Sequence, residues 1–196
     1  ISSERAFSSL LRRERVEVVF LLSRRPLDGP RQNKLRMTER IFRETFVVGA
    51  ESIDVLGHVN NREYLKWMER IATHHAAAVG WSFEALRAMG RTWVAREHWA
   101  EYLRPCFEGD VLDMFSWIQS WRGAASLRRY AIRRGEDLLF VGATEWVFVD
   151  FEKKRPALFS ESELAILQAN SIAPDDPLLA SLGIARGVRY EPSRGL

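Results

Sequence analysis

The residues best suited to chemistry fall in one stretch, DVLGHVNNREYLKWME, which runs from Asp54 to Glu69. It begins with the carboxylate of Asp54, turns at Gly57 and enters an aromatic-rich helix. Asn60 or Asn61 can cap that helix, because a short side-chain oxygen accepts a bond from an orphan backbone N–H. The free amides of the first turn, at the positive end of the helix, suit a developing oxyanion. An acid beside an oxyanion site is what acyl transfer to water requires.

Composition and charge exclude several classes of protein. The 196 residues are 46% hydrophobic and 28% charged, which is typical of a globular domain. Residues 1–36 carry a net charge of +5, so the remainder carries −2 of the total of +3. The basic pI therefore does not predict a nucleic-acid partner. No apolar run approaches the roughly 20 residues of a membrane span. Cys106 is the only cysteine, which fits a reducing compartment and predicts a cytoplasmic location.

The chain divides into three predicted parts. Residues 1–36 are expected to be an N-terminal extension, disordered or non-native, with a docking or targeting arm as the alternative. Residues 37–170 are expected to form the functional domain. Residues 171–196, which are punctuated by proline, glycine and aspartate, are expected to be an irregular C-terminal tail.

The domain has the pattern of an α+β protein. β-Branched and aromatic residues predict a first strand at 41–48, and apolar residues at helical spacing predict a helix at 61–79. Ser82 and Gly90 bound a short second helix, and Ser160 with Glu163 forms a capping box for a last helix through Gln168. Period-two patterns predict four strands, at 92–103, 111–121, 126–133 and 138–151. Edges of such long strands favour a homodimer or homotetramer.

Taken together, this order of elements and the motif D-x-x-G-H-V-N-N-x-x-Y-x-x-W-x-E resemble the hot-dog fold acyl thioesterases. The likeness covers about residues 39–168. It is greatest to the 4-hydroxybenzoyl-CoA thioesterase group and to the plant acyl-acyl carrier protein thioesterases. The resemblance implies a hot-dog fold, in which a long antiparallel sheet wraps around a central helix.

The resemblance also implies roles for individual residues. In the hydroxybenzoyl-CoA branch the acid before the turn is the nucleophile or general base, and this position is Asp54. A backbone N–H at the helix start, at or near Asn61, polarises the thioester carbonyl. The plant branch adds a catalytic histidine, which matches His58, and an asparagine, for which this chain has Leu56. The plant E-Y-x-R pattern matches at Glu101, but Pro105 replaces the glutamate that follows it, so the aspartate-centred mechanism is favoured.

Several candidates have a structural alternative. Asp54 could simply stabilise its own turn. His58 could orient Asp54 or the substrate, or bond a backbone carbonyl. Asn60, Tyr64 and Trp67 are candidates for binding substrate, although Asn60 also suits a cap and both aromatic residues suit a core or a dimer contact.

Other reactive residue types give weaker signals. The histidines at 74, 75 and 98 lack metal-ligand spacing, so no metal is expected, and no cofactor is implied. Cys106 lies far from the motif and is expected to be a small buried or loop residue. The paired arginines at 128–129 and 133–134 could hold coenzyme A phosphates, but solvated strand edges are the default expectation.

The predicted function is hydrolysis of an acyl-CoA or acyl carrier protein thioester by Asp54 and the helix amides at Asn61. The alternative is a hot-dog module that binds acyl-CoA without cleaving it. A hot-dog hydratase or dehydratase ranks last, because Asp54 and His58 occur in the wrong element order for it.

Overall fold

The computed structural model of the protein describes residues 40–188 and 190–191. The prediction for residues 1–36 therefore lies outside the described part. The described elements are, in order, β1 (Ile41–Val47), a 3-10 turn (Ala50–Ser52), α1 (Asn61–Ala78), α2 (Phe83–Ala88), β2 (Arg91–Tyr102), β3 (Val111–Arg122), β4 (Ala125–Arg134), β5 (Asp137–Asp150), β6 (Arg155–Pro156), α3 (Glu161–Ala169), α4 (Pro177–Ser181) and a second 3-10 turn (Ala185–Val188).

The strands form one antiparallel sheet in the order β1-β3-β4-β5-β2, and β6 pairs with the end of β5. Tight turns at Gly123 and Gly135 join β3, β4 and β5, and both glycines have positive φ. The register places Tyr130 beside Ser116 on one side and Gly142 on the other. Within the described residues β2 pairs only with β5, so it forms an edge of the sheet.

Helix α1 packs its apolar stripe on one face of this sheet. Its buried residues recur at helical spacing, at Glu63, Tyr64, Trp67, Met68, Ile71, Ala72 and His75. The largest of them share a core with Met114, Ile132 and Phe140 of the sheet. Each large apolar side chain buried in this way contributes roughly 1.5–3 kcal/mol. The predicted α+β class, a long antiparallel sheet wrapped on a central helix, is confirmed.

Residues after α3 cover the opposite face of the sheet. Ile172, Leu179 and Ile184 are almost fully buried and share a second core cluster with Phe115 and Trp117. Those two alternate along β3 with the residues that face α1, so they lie on the other side of the sheet. Residues 177–181, where the sequence predicts an irregular segment, form the short helix α4. The prediction of an irregular tail at 171–196 is thus wrong for these described residues.

Candidate active site

The loop that carries Asp54 is a tight turn held by its own backbone. Ile53 and Val59 pair as an isolated antiparallel bridge, and the amide of Asp54 donates to the carbonyl of His58 at 2.9 Å. The amide of Gly57 donates back to the carbonyl of Asp54 at 3.0 Å. Gly57 has a φ of 80°, a left-handed conformation that glycine adopts at little cost. The glycine in the motif is therefore explained by backbone geometry.

The carboxylate of Asp54 is partly buried and held at one oxygen. Its Oδ1 accepts the amide of Leu56 at 2.8 Å, and its side chain is 21% exposed. The Nδ1 atom of His58 lies 3.9 Å from the same oxygen, too far for a hydrogen bond. Among the described residues Oδ2 has no hydrogen-bond partner. Asp54 thus stabilises its turn through Oδ1, and Oδ2 is left able to accept a proton or a hydrogen bond.

The histidine of the motif bonds a carbonyl. His58 Nδ1 lies 3.2 Å from the backbone oxygen of Val59, which can only accept, so Nδ1 carries the proton. A neutral imidazole then has Nε2 as an acceptor. A catalytic role for His58 stays a prediction, and the geometry gives no direct bond through which it would orient Asp54.

The first turn of α1 has one open amide. Asn60 caps the helix, because its Oδ1 accepts the amide of Arg62 at 3.1 Å and its carbonyl accepts that of Glu63 at 2.9 Å. The amide of Asn60 itself donates to the carbonyl of Ser52. The amide of Asn61 has no partner among the described residues, and Asn61 is exposed. This leaves one backbone N–H at the positive end of α1 able to bind an oxyanion.

Asp54 and this amide share one end of α1. Ser52, which binds Asn60, precedes Asp54 by two residues of extended chain, a span of about 7 Å. On the other side, the hydroxyl of Tyr102 at the end of β2 donates to the carbonyl of Asn61 at 3.3 Å. Tyr102 is 43% exposed. Tyr102 is the tyrosine of the E-Y-x-R match that begins at Glu101. Its hydrogen bond to Asn61 joins the edge of the sheet to the start of α1.

Two predicted substrate-binding residues lie in the core of the chain. Tyr64 is 2% exposed and Trp67 is 6% exposed, and their rings are 5.2 Å apart. The ring of Phe140 lies 4.9 Å from that of Tyr64. Burial raises the pKa of Tyr64, whose hydroxyl bonds the thiol of Cys106. The position of both aromatic residues agrees with packing, and their contact with substrate stays a prediction.

The single cysteine is a buried packing residue. Cys106 is fully buried, and burial raises the pKa of its thiol. A protonated, inaccessible thiol is a poor nucleophile. The expectation of a small buried residue is confirmed.

A separate cavity of about 200 Å³ lies along the second half of α1. Its walls come from α1, α2 and four strands of the sheet: Ala72, Thr73, Ala76, Trp81, Phe83, Leu86, Thr92, Trp93, Ile118, Ser126, Arg128 and Trp146. Arg128 is only 7% exposed, and Arg129 is fully buried. The expectation that these arginines are solvated is wrong. A sequence signal could have placed Arg128 inside. Every second residue of a strand faces the same side, so Arg128 shares the face of Tyr130 and Ile132, which are buried against α1.

Two further searches concern the described residues alone. Nowhere in residues 40–188 and 190–191 do three or more histidine, cysteine, aspartate or glutamate residues cluster so as to hold a metal ion. None of the helices in that part of the chain combines the length and apolar character needed to cross a bilayer.

Comparison with known proteins identifies the family. The sequence pattern of the Thioesterase-like superfamily matches residues 48–169. The match covers more than half of the chain and includes the Asp54 loop, α1 and the sheet from β2 to β5. The chain therefore belongs to the thioesterase-like superfamily, and it is a thioester hydrolase with the hot-dog fold. No curated protein sequence gives a significant match.

Solved structures agree on the fold. A Staphylococcus aureus protein solved in complex with CoA is 18% identical, with a TM-score of 0.63 over 70% of this chain and 89% of that chain. A probable thioesterase from Escherichia coli is 19% identical, with a TM-score of 0.58 over 66% and 98%. A 1,4-dihydroxy-2-naphthoyl-CoA thioesterase from Synechocystis is 16% identical, with a TM-score of 0.59 over 65% and 96%.

Proposed function

We propose that the protein hydrolyses an acyl-CoA thioester at the N-terminal end of α1. The observation that supports this proposal is that Asp54, whose Oδ2 has no partner among the described residues, and the open amide of Asn61 both lie near the N-terminal end of α1. The CoA bound to the Staphylococcus neighbour and the naphthoyl-CoA substrate named for the Synechocystis neighbour support CoA as the carrier. An acyl carrier protein ester is the second carrier to test.

In the general-base route Asp54 takes a proton from water, and the water oxygen adds to the thioester carbonyl carbon. The negative charge that develops on the carbonyl oxygen is bound by the N–H of Asn61. The tetrahedral intermediate collapses with cleavage of the carbon–sulfur bond. The thiolate takes up the proton, and the products are a free acid and a thiol. In the nucleophilic route the carboxylate attacks first, and water then cleaves the resulting anhydride.

The Asp54→Asn variant is a clean test. Its amide oxygen can still accept the amide of Leu56, so the turn is retained while the base is lost. We expect hydrolysis to fall by roughly 10²–10⁴-fold, as for loss of a positioned base. The matched control is Asp175→Asn, an exposed aspartate far along the chain from the loop. Thiol release from a panel of acyl-CoA esters is the assay.

Three results are informative. Wild-type turnover by Asp54→Asn would remove Asp54 from the mechanism. Binding of acyl-CoA by the wild-type protein with no thiol released would favour the non-catalytic module. A single turnover in ¹⁸O-labelled water tests the nucleophilic route. If water attacks the Asp54 carbonyl of the anhydride, the product acid receives an unlabelled carboxylate oxygen of Asp54, whereas the general-base route always places a labelled oxygen in the product.

We further propose that two or more copies associate. The long β2 strand exposes an unpaired edge within the described residues. A homodimer or homotetramer would cover it, which light scattering can measure. The cytoplasmic location stays a prediction that rests on the single buried cysteine.

A further inference from the structure

Arg128 differs from Arg43 and Arg134, two arginines of the sheet that pair with aspartates. Arg43 pairs with Asp113 at 2.6 Å, and Arg134 pairs with Asp110 at 2.7 Å. Arg128 is 7% exposed and lines the cavity beside α1, yet no described aspartate or glutamate forms an ion pair with it. An isolated charge is costly to bury unless it is paired. The cavity therefore holds a buried cation without an anionic partner from the described chain.

The hydrogen bonds of Arg128 use only one of its three nitrogens. Nη1 donates to Nδ1 of His75 at 2.8 Å and to Oγ of Ser116 at 2.9 Å. Arginine has no acceptor, so Nδ1 of His75 is unprotonated and both acceptors are uncharged. Nε and Nη2 have no partner among the described residues. These two nitrogens form one edge of the guanidinium, and such an edge binds a carboxylate through two parallel hydrogen bonds.

Apart from the hydroxyl groups of Thr73, Thr92 and Ser126, the rest of the cavity wall is apolar. Its walls include the rings of Trp81, Phe83, Trp93 and Trp146, and its volume is about 200 Å³. An apolar cavity of about 150 Å³ is large enough to bind benzene. The space therefore suits a single ring, or a short aliphatic chain, that carries one acidic group.

We propose that this cavity binds a small organic carboxylate, with its apolar body among the tryptophans and its carboxylate on the Nε–Nη2 edge of Arg128. Two sources could supply that chemistry, a free organic acid or the carboxylated acyl group of a thioester. Thr73 in the cavity wall lies 12 residues beyond Asn61, about 18 Å along α1. A ligand of one ring cannot span that distance, so an acyl group could reach Arg128 only from the catalytic loop of a second copy.

The first experiment measures binding of phenylacetate and of its neutral analogue phenylacetamide to the full chain. Tryptophan fluorescence and calorimetry report binding, since three tryptophans line the cavity. We expect the carboxylate to bind roughly 10- to 100-fold more tightly than the amide, the range of hydrogen bonds to a charged group. Arg128→Met should abolish that preference. Arg87→Met, which removes an exposed charge from α2, should retain it.

Both variants are chosen to fold. Arg128 has no described acidic partner, so Arg128→Met removes a costly buried charge without leaving an unpaired acid, and circular dichroism can check that the variant folds. If Arg128→Met fails to fold, Arg128→Lys keeps the charge but removes the two-pronged edge, and it should weaken the preference for phenylacetate. Equal affinities for phenylacetate and phenylacetamide, absence of binding by both, or a preference that survives Arg128→Met would each overturn the proposal.

The second experiment identifies the source of the carboxylate. The ratio of kcat/KM for glutaryl-CoA over pentanoyl-CoA compares acyl groups that end in a carboxylate or a methyl group. If the wild-type ratio is above one and Arg128→Met lowers it, the cavity binds the acyl group of the substrate. If Arg128→Met leaves the ratio unchanged while the wild-type protein binds phenylacetate, the cavity binds a free acid. Equilibrium binding needs no turnover, so its failure is distinguishable from failure of the proposed hydrolysis.

Discussion

The turn at Gly57 permits a test in which the activity and the stability of one loop are separated. Gly57 has a φ of 80°, and a Cβ built there has no heavy atom within 4 Å. Gly57→Ala therefore adds no steric clash, and its cost is the left-handed backbone alone, about 1–2 kcal/mol. Gly123, in the turn between β3 and β4, has a φ of 59° and an equally open Cβ position. It serves as a matched control, because it follows the end of β3, whereas Val47, which leads into the Asp54 loop, pairs with the start of β3 at Val111.

The two alanine variants should differ in activity and agree in stability. A loss of 1–2 kcal/mol lowers Tm by about 2–8 °C in a domain of this size. In Gly57→Ala, the backbone of residue 57 can relieve part of the strain by leaving the left-handed conformation. That change would break the hydrogen bond from the amide of Gly57 to the carbonyl of Asp54 and would move the carboxylate. A misplacement of about 1 Å can cost about 10²-fold in rate. We expect a loss of that order in kcat/KM for Gly57→Ala and none for Gly123→Ala.

Thiol release and thermal unfolding measure the two quantities on the same samples. Gly57→Asn should retain more activity than Gly57→Ala, because asparagine tolerates the left-handed conformation better than alanine. If Gly57→Ala hydrolyses acyl-CoA at the wild-type rate, the turn does not position the catalytic carboxylate. A comparable rate loss in Gly123→Ala would show that the effect is general destabilisation.

Two further predictions concern the core around α1. Gly142→Ala should destabilise the protein by about 1–3 kcal/mol, because the added Cβ would lie 2.9 Å from Phe140 Cε1 and 3.1 Å from Met68 Sδ. Urea unfolding measures this, and a change below about 0.5 kcal/mol would contradict the close approach of α1 to β5. Cys106, buried and with a raised pKa, should react with a disulfide reagent at pH 8 only as fast as the protein unfolds, whereas in urea it should react at once. Rapid labelling of the native protein would show that the thiol is accessible.

The sequence predicts the strands and α1 well because their signals are local. Period-two alternation and a glycine at each turn place β4 at 126–133, and the observed strand is Ala125–Arg134. The helix predicted at 61–79 ends one residue earlier, at Ala78. The capping box of Ser160 with Glu163 is present with both of its hydrogen bonds. Each of these features depends on residues that are close together along the chain.

Features that depend on tertiary contacts are less accessible to sequence reasoning. Helix α4 is five residues long, and the segment carries only a few apolar anchors, among them Leu179 and Ile184. Its order comes from docking on the outer face of the sheet, a face that does not exist until the strands have paired. The sequence predicts a solvated edge for Arg128, because solvated strand edges are the default expectation for arginines on a strand. A default expectation of that kind fails at a site where the protein buries a cation.

The two interpretations of Asp54, a turn residue and a catalytic acid, are compatible in this geometry. A carboxylate has two oxygens, and the turn needs only Oδ1, which accepts the amide of Leu56. That bond fixes the rotation of the side chain and so fixes the direction of Oδ2, at no further cost when substrate arrives. The sequence features that allow a structural interpretation, a short acid before a glycine turn, are then also those that orient the reactive oxygen. An asparagine at this position would preserve the first role and remove the second, which is why that substitution separates them.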